Sequence, residues 1–239
     1  EVFQRIKYQN PPIPFKLITI NPNEVNYLTI PRFEYTYYPY YTYIQGGDWD
    51  RRIRNKRIDF LFESQGNSYD YPRAERFSLK RYLLPFEHYT FYNSSKAHFQ
   101  DGVPWEDTRI YEFFIDKIEE RVTITRFETE EKVIKQLSYF DSLYNKIKQD
   151  GYKTQKELKK DKKVRLKWVM KHPSSHEILV NIGRDGDIFF EDGRHRFVIA
   201  KILRLDKIPV RVFVRHKQWQ QKREKNIKED IDIIHPDLR

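Results

Sequence analysis

The stretch from Glu177 to Val214 constrains the fold more than any other part of the chain. Residues Glu177–Ile182 and Ile188–Phe190 are rich in β-branched and aromatic side chains and read as strands. Gly183-Arg184-Asp185-Gly186-Asp187 between them carries the turn residues of a hairpin. A second turn at Asp192-Gly193 leads into a predicted helix from Arg194 to Leu205, and Ile208–Val214 reads as a closing strand. That order predicts an α+β fold whose C-terminal part is a small mixed sheet with helices.

The junction of strand and helix at Glu191-Asp192-Gly193-Arg194-His195-Arg196 brings together what an anion site needs. Glycine lets the backbone turn sharply and approach a ligand. The first amides of a helix have no carbonyl partner within it and sit at the positive end of its dipole. Arg194, His195 and Arg196 fall on that first turn and add side-chain donors. Asp192 can cap the helix, hold a magnesium ion or accept a proton. By residue type alone, an ordinary capped helix with an Arg-rich first turn accounts for the same pattern.

Upstream the pattern differs. The first 128 residues form an aromatic- and Pro-rich mixed region, with Tyr35-Thr36-Tyr37-Tyr38-Pro39-Tyr40-Tyr41-Thr42-Tyr43 as its densest run, either a packing surface or a stacking platform. Phe15–Ile20 and Tyr27–Ile30 read as strands, Arg73–Leu83 has helical spacing, and Arg121–Phe127 alternates like a strand. A helix after the Gly102–Thr108 loop is expected to start with Asp107 as its cap. Residues 129–149 give the clearest helix, with Val133, Ile134, Leu137, Phe140, Leu143, Tyr144 and Ile147 on one face, ending at Asp150-Gly151. Thr154-Gln155-Lys156-Glu157 has the capping-box pattern, opening a helix toward Lys171. The chain divides accordingly into 1–128, a domain at 129–216 and a charged tail at 217–239.

Charge is unevenly spread along the chain. Residues 1–145 carry 20 Lys/Arg against 21 Asp/Glu, whereas 146–239 carry 25 against 14, an excess of +11. Such an excess attracts phosphates, and the 146–171 segment holds most of it, either as the solvated face of helices or as a contact for nucleic acid. With no cysteine, disulfides, thiolate metal sites and cysteine nucleophiles are excluded. No apolar run approaches a membrane span, and a cytoplasmic protein is expected. His88, His98, His172 and His176 form no metal-ligand pair on one helix, because Pro173 separates the last two.

Taken whole, Ile178–Val212 resembles the nucleotide-binding core of the ParB/sulfiredoxin superfamily: the hairpin, the Gly193-Arg194-His195-Arg196 turn, the Ala200-containing helix and the Ile208-Pro209-Val210 strand follow in that order. Haloarchaeal-type proteins carrying this domain look closest, sharing features like Gly102–Thr108, Gly151–Gln155 and Val214–Trp219. The resemblance implies a nucleotide (ATP, ADP or CTP), with magnesium, whose phosphate meets Gly193, His195 and Arg196. Sulfiredoxin has its reactive cysteine after the glycine; Arg194 stands there, so sulfinic-acid reduction is excluded. The segment 217–239 is too short for the helix-turn-helix module that follows in ParB. A free serine kinase of the superfamily is the nearest member, and Glu177 is the candidate for its separate catalytic glutamate.

The expectation is therefore phosphotransfer or phosphate-ester hydrolysis. Gly193, Arg194, His195 and Arg196 would bind phosphate, Asp192, His195 and Glu177 would be catalytic, and Asp192 would hold the metal. The alternatives are a non-catalytic nucleotide- or nucleic-acid-binding module, or an oligomeric assembly subunit whose Tyr-rich segment is an interface.

Overall fold

The computed structural model describes residues 8–30, 42–51, 82–120, 127–160, 173–229 and 234–238. Within them the chain is a mixed α+β structure with one seven-stranded sheet and six helices. The strands are β1 (Leu17–Ile20), β2 (Tyr27–Ile30), β3 (Tyr43–Gln45), β4 (Tyr82–Pro85), β5 (Leu179–Ile182), β6 (Ile188–Asp192) and β7 (Ile208–His216). The helices are α1 (Thr90–Asp101), α2 (Arg109–Glu119), α3 (Glu130–Asp150), α4 (Gln155–Lys160), α5 (Arg194–Ile202) and α6 (Lys217–Glu229).

The order across the sheet is β1, β7, β5, β6, β2, β4, and β3 also pairs with β7. β7 is long enough that β1 and β3 lie end to end along one of its edges, antiparallel at Ile208–Arg211 and parallel at Val214–His216. The expected hairpin is present, with β5 and β6 antiparallel. Strands from before and after residue 129 thus share one sheet.

Alternation within the strands sorts residues to the two faces, since successive side chains point to opposite sides. Leu28, Leu84, Val180, Ile182, Phe190, Val210 and Val212 face the helices, while Leu83, Leu179, Phe189 and Phe213 form a smaller cluster with Trp49 on the other side. α5 lies in the middle of the first face. Six consecutive residues, Phe197–Ile202, are buried, the pattern of a helix enclosed on all sides. α1 and α3 pack on it, bringing Phe91 and Phe140 into ring contact with each other. A buried polar network ties β5 to its neighbours: Asn181 donates to Thr29 and Glu191 and accepts from the Val214 amide, filling a register shift between β5 and β7.

Several local expectations are corrected. Thr108, not Asp107, precedes α2, and Asp107 sits in a short 3-10 turn whose Trp105 carbonyl takes the Thr108 hydroxyl. Ile134 is 43% exposed, because the buried stripe of α3 runs through Val133, Leu137, Phe140 and Ile147. Leu83 belongs to strand β4 rather than to a helix, and α5 ends at Ile202. Residues 73–81, Arg121–Arg126, 161–172 and most of the Tyr35–Tyr43 run lie outside the described residues. No helix among the described residues is long and apolar enough to cross a membrane.

The tail is anchored by charge. Asp237, 2% exposed, accepts from the Arg215 guanidinium and from the Trp219 indole, with Arg223 nearby. These cations hold its carboxyl below the usual range against the opposing pull of burial. Asp237→Ala leaves Arg215 buried without its partner and should lower unfolding free energy by about 3–5 kcal/mol. The depressed carboxyl contributes stability that is present above its ordinary value near 3.8 and is lost as pH falls through the folded value. The gap between wild type and Asp237→Asn in chemical denaturation should therefore narrow on acidification.

Candidate functional site

β6 delivers the chain to the surface at Asp192, and Gly193 turns it into α5 with φ 89° and ψ 33°. Only glycine takes this left-handed conformation without strain. Space imposes the same choice, because a Cβ at Gly193 would lie 3.1 Å from the Ile178 Cα and 3.2 Å from its Cγ1. The Asp192 Oδ1 accepts the Gly193 amide at 2.7 Å, which tightens the turn from its strand side. The first helical bond runs from Phe197 N–H to the Gly193 carbonyl at 3.1 Å, so the amides of the opening turn precede the ladder.

A cleft of about 470 Å³ opens beside this turn. One wall is Gly193, His195 and Arg196; α3 supplies another through Tyr139, Leu143, Lys146 and Ile147; Tyr152, Lys153, Gln155 and Leu158 close it. The volume is in the range of small-molecule sites. The His195 ring is wedged edge-on between Phe91 and Phe140, with centroids 5.4 and 5.2 Å away. Arg194 is directed elsewhere: its guanidinium lies 5.7 Å over the Phe91 ring, and it does not line the cleft. Of the residues expected to bind phosphate, Gly193, His195 and Arg196 come together on one wall, and Arg194 stands at its back.

Arg196 is held by three partners, of which Glu177 is buried. Its Nη1 donates to Glu177 Oε2 and to the Tyr152 hydroxyl, each at 3.2 Å, and its Nη2 donates to the His176 carbonyl. The other Glu177 oxygen accepts the Gln155 amide at 2.6 Å. Glu177 is 3% exposed; burial pushes its carboxyl up, while Arg196 and the Gln155 amide pull it down. Burial raises the Tyr152 hydroxyl to about 12, so it stays protonated as an oriented dipole. Glu177 thus lies behind Arg196, with both oxygens engaged, and joins α4 to the first turn of α5. Thr154 and Glu157 form the expected reciprocal cap at the same corner.

Two contributors escape a reading of the sequence. Tyr152 stands in an unremarkable turn, and only its place between Arg196 and the cleft gives it a role. Glu191, inside the motif, faces away from the turn into the Asn181 network, buried to 1% exposure. Asp192 is then the one carboxylate at the end of β6 beside the turn. Among the described residues no cluster of three or more His, Asp or Glu side chains forms a metal cage. Asp192, the carboxylate expected to hold magnesium, accepts the Gly193 amide and is not among the residues that line the cleft. His98, His88 and His176 gather no such set either: His98 packs face-on against Trp105 at 4.1 Å and meets Asp141.

No protein-family profile, no curated protein and no solved structure matches the chain.

The turn gives a direct prediction. Gly193→Ala forces a Cβ toward Ile178 at a positive φ and should cost about 1–2 kcal/mol of stability, read as a lower denaturation midpoint with an unchanged slope. Gly186→Ala, at φ 99° with Trp219 against it, strains a turn remote from the cleft and separates loss of stability from loss of ligand binding.

Proposed function

We propose that the protein binds a nucleotide or other phosphorylated small molecule at the Gly193 turn and transfers or hydrolyses its phosphoryl group, as a member of the ParB/sulfiredoxin superfamily. The observation that carries this reading is the meeting of Gly193, His195 and Arg196 on one wall of a nucleotide-sized cleft at the N-terminus of a nine-residue helix. A dianion there would meet main-chain amides at the positive helix end together with a guanidinium fixed by Glu177.

In the reaction, an acceptor oxygen or water forms a bond to phosphorus as the bond to the leaving oxygen breaks. Arg196 and the turn amides would stabilise charge on the equatorial oxygens, and His195 would donate to the transferring group. Asp192 would take the proton of the attacking oxygen or hold magnesium, whose chemistry is to neutralise the phosphate oxygens. Glu177 would keep Arg196 in place rather than touch the substrate. The reading is of a cytoplasmic protein, where nucleoside di- and triphosphates are abundant.

Thermal denaturation with ATP, ADP and CTP, each with magnesium, tests this. At least one should stabilise the wild type, by about 2.7 kcal/mol at a hundredfold excess over its dissociation constant. Arg196→Ala should lose most of that shift. No stabilisation by any nucleotide in a folded wild type overturns the proposal.

A further inference from the structure

The cleft is longer than a phosphate group requires. Its α3 wall is formed by Tyr139, Ser142, Leu143, Lys146, Ile147 and Asp150, spaced by threes and fours along one stripe of the helix. At 1.5 Å per residue that stripe runs about 16 Å. Its outer end is an aromatic ring left in solvent, since Tyr139 is 60% exposed. Leu143 and Ile147 line the middle, and Lys146 lies between them, exposed.

Charge continues along the same two helices. Between Lys146 and Lys159 stand five lysines, 146, 148, 153, 156 and 159, against two acids, and Lys146 and Lys153 line the groove itself. Of those acids, Glu157 is engaged by the Thr154 cap and Asp150 lies 3.9 Å from Lys153. Rings and apolar side chains in a groove with cations along it are complementary to single-stranded nucleic acid, whose bases stack on exposed rings while its backbone follows positive charge. A duplex keeps its base faces within its own stack and offers none to Tyr139. A mononucleotide supplies phosphate at one end only and does not span the length of the stripe.

We propose that this groove takes the phosphorylated end of a single-stranded nucleic acid. The terminal phosphate sits at the Gly193 turn, a base lies against Tyr139 and the apolar stripe, and the following phosphates run past Lys146 and Lys153. This rests on the phosphate-site reading above and extends it from a mononucleotide to a polymer.

Fluorescence anisotropy with labelled single-stranded oligothymidylates of about ten nucleotides, phosphorylated at the 5′ end in one sample and the 3′ end in another, tests it. Thymidine monophosphate and a hairpin duplex of equal charge serve as competitors. One of the oligomers should bind about tenfold or more tighter than the monophosphate and than the duplex. Its log–log salt slope should be about −0.7 per phosphate contacted. Tyr139→Ala, a change at an exposed position with folding checked by circular dichroism, should weaken it about fivefold or more at unchanged slope. The pair Lys146→Gln and Lys153→Gln should make the slope shallower. Equal affinity for oligomer and monophosphate, both binding, overturns the extended groove and leaves the phosphate site standing. Equal affinity for duplex and single strand, or a silent Tyr139→Ala, overturns the base contact. Binding of neither nucleotide nor oligomer removes both readings.

Discussion

The burial of α5 is the constraint on which the architecture turns. A helix with Phe197–Ile202 all buried must be walled by a sheet on one side and by other helices elsewhere. β2, β5, β6 and β7 provide the first wall, and α1 and α3 the second. Its polar ends are then the places where the chain needs particular chemistry. At the C-terminal end Lys201 gives its ammonium to the Pro22 and Val25 carbonyls, though burial pushes it down to about 8. At the other end the solution is Gly193, pressed against Ile178, with a cleft left open beside it.

Around that open end, one buried carboxylate organises three separate segments. Glu177 binds the first amide of α4, the side chain of Arg196 and, through Arg196, the hydroxyl of Tyr152. A buried charge without a partner costs several kcal/mol, so α4, the approach to β5 and the first turn of α5 are interdependent. Arg196 has five N–H donors, and the protein engages Nη1 and Nη2. On the proposed reading, an incoming phosphate would join this set instead of displacing Glu177, which keeps the guanidinium oriented.

The parts of this arrangement that are legible in the sequence are those governed by local rules. The β5–β6 hairpin, α5, β7 and the Thr154–Glu157 cap follow from turn residues, period and spacing within a few positions, and each is present. Gly193 announces its conformation because no other residue fits it. Illegible were the contacts between distant segments. Nothing near Asn181 signals that Thr29 and Glu191 will share its amide, and nothing near Tyr152 signals Arg196. Ile134 satisfies the helical period yet lies 43% exposed, because period defines a face and the neighbours decide how wide a face is covered. Glu177 was recognisable as a candidate only through the family resemblance, and its placement behind Arg196 gives it a supporting geometry.

On the proposed reading, Asp192 bears on which anion can approach the turn. Its carboxylate closes the turn by accepting the Gly193 amide, immediately beside the amides that a phosphate would use. Glu191 is turned into the sheet, so Asp192 is the carboxylate next to the turn, while Asp150, Lys146 and Lys153 line the cleft itself. Two like charges so close disfavour each other unless a cation lies between them. On the proposed reading, Asp192 therefore penalises a bare phosphate and favours one that brings its own magnesium, as nucleoside di- and triphosphates do. The same carboxylate that shapes the turn would then also select among ligands, through the charge that each must carry to approach it.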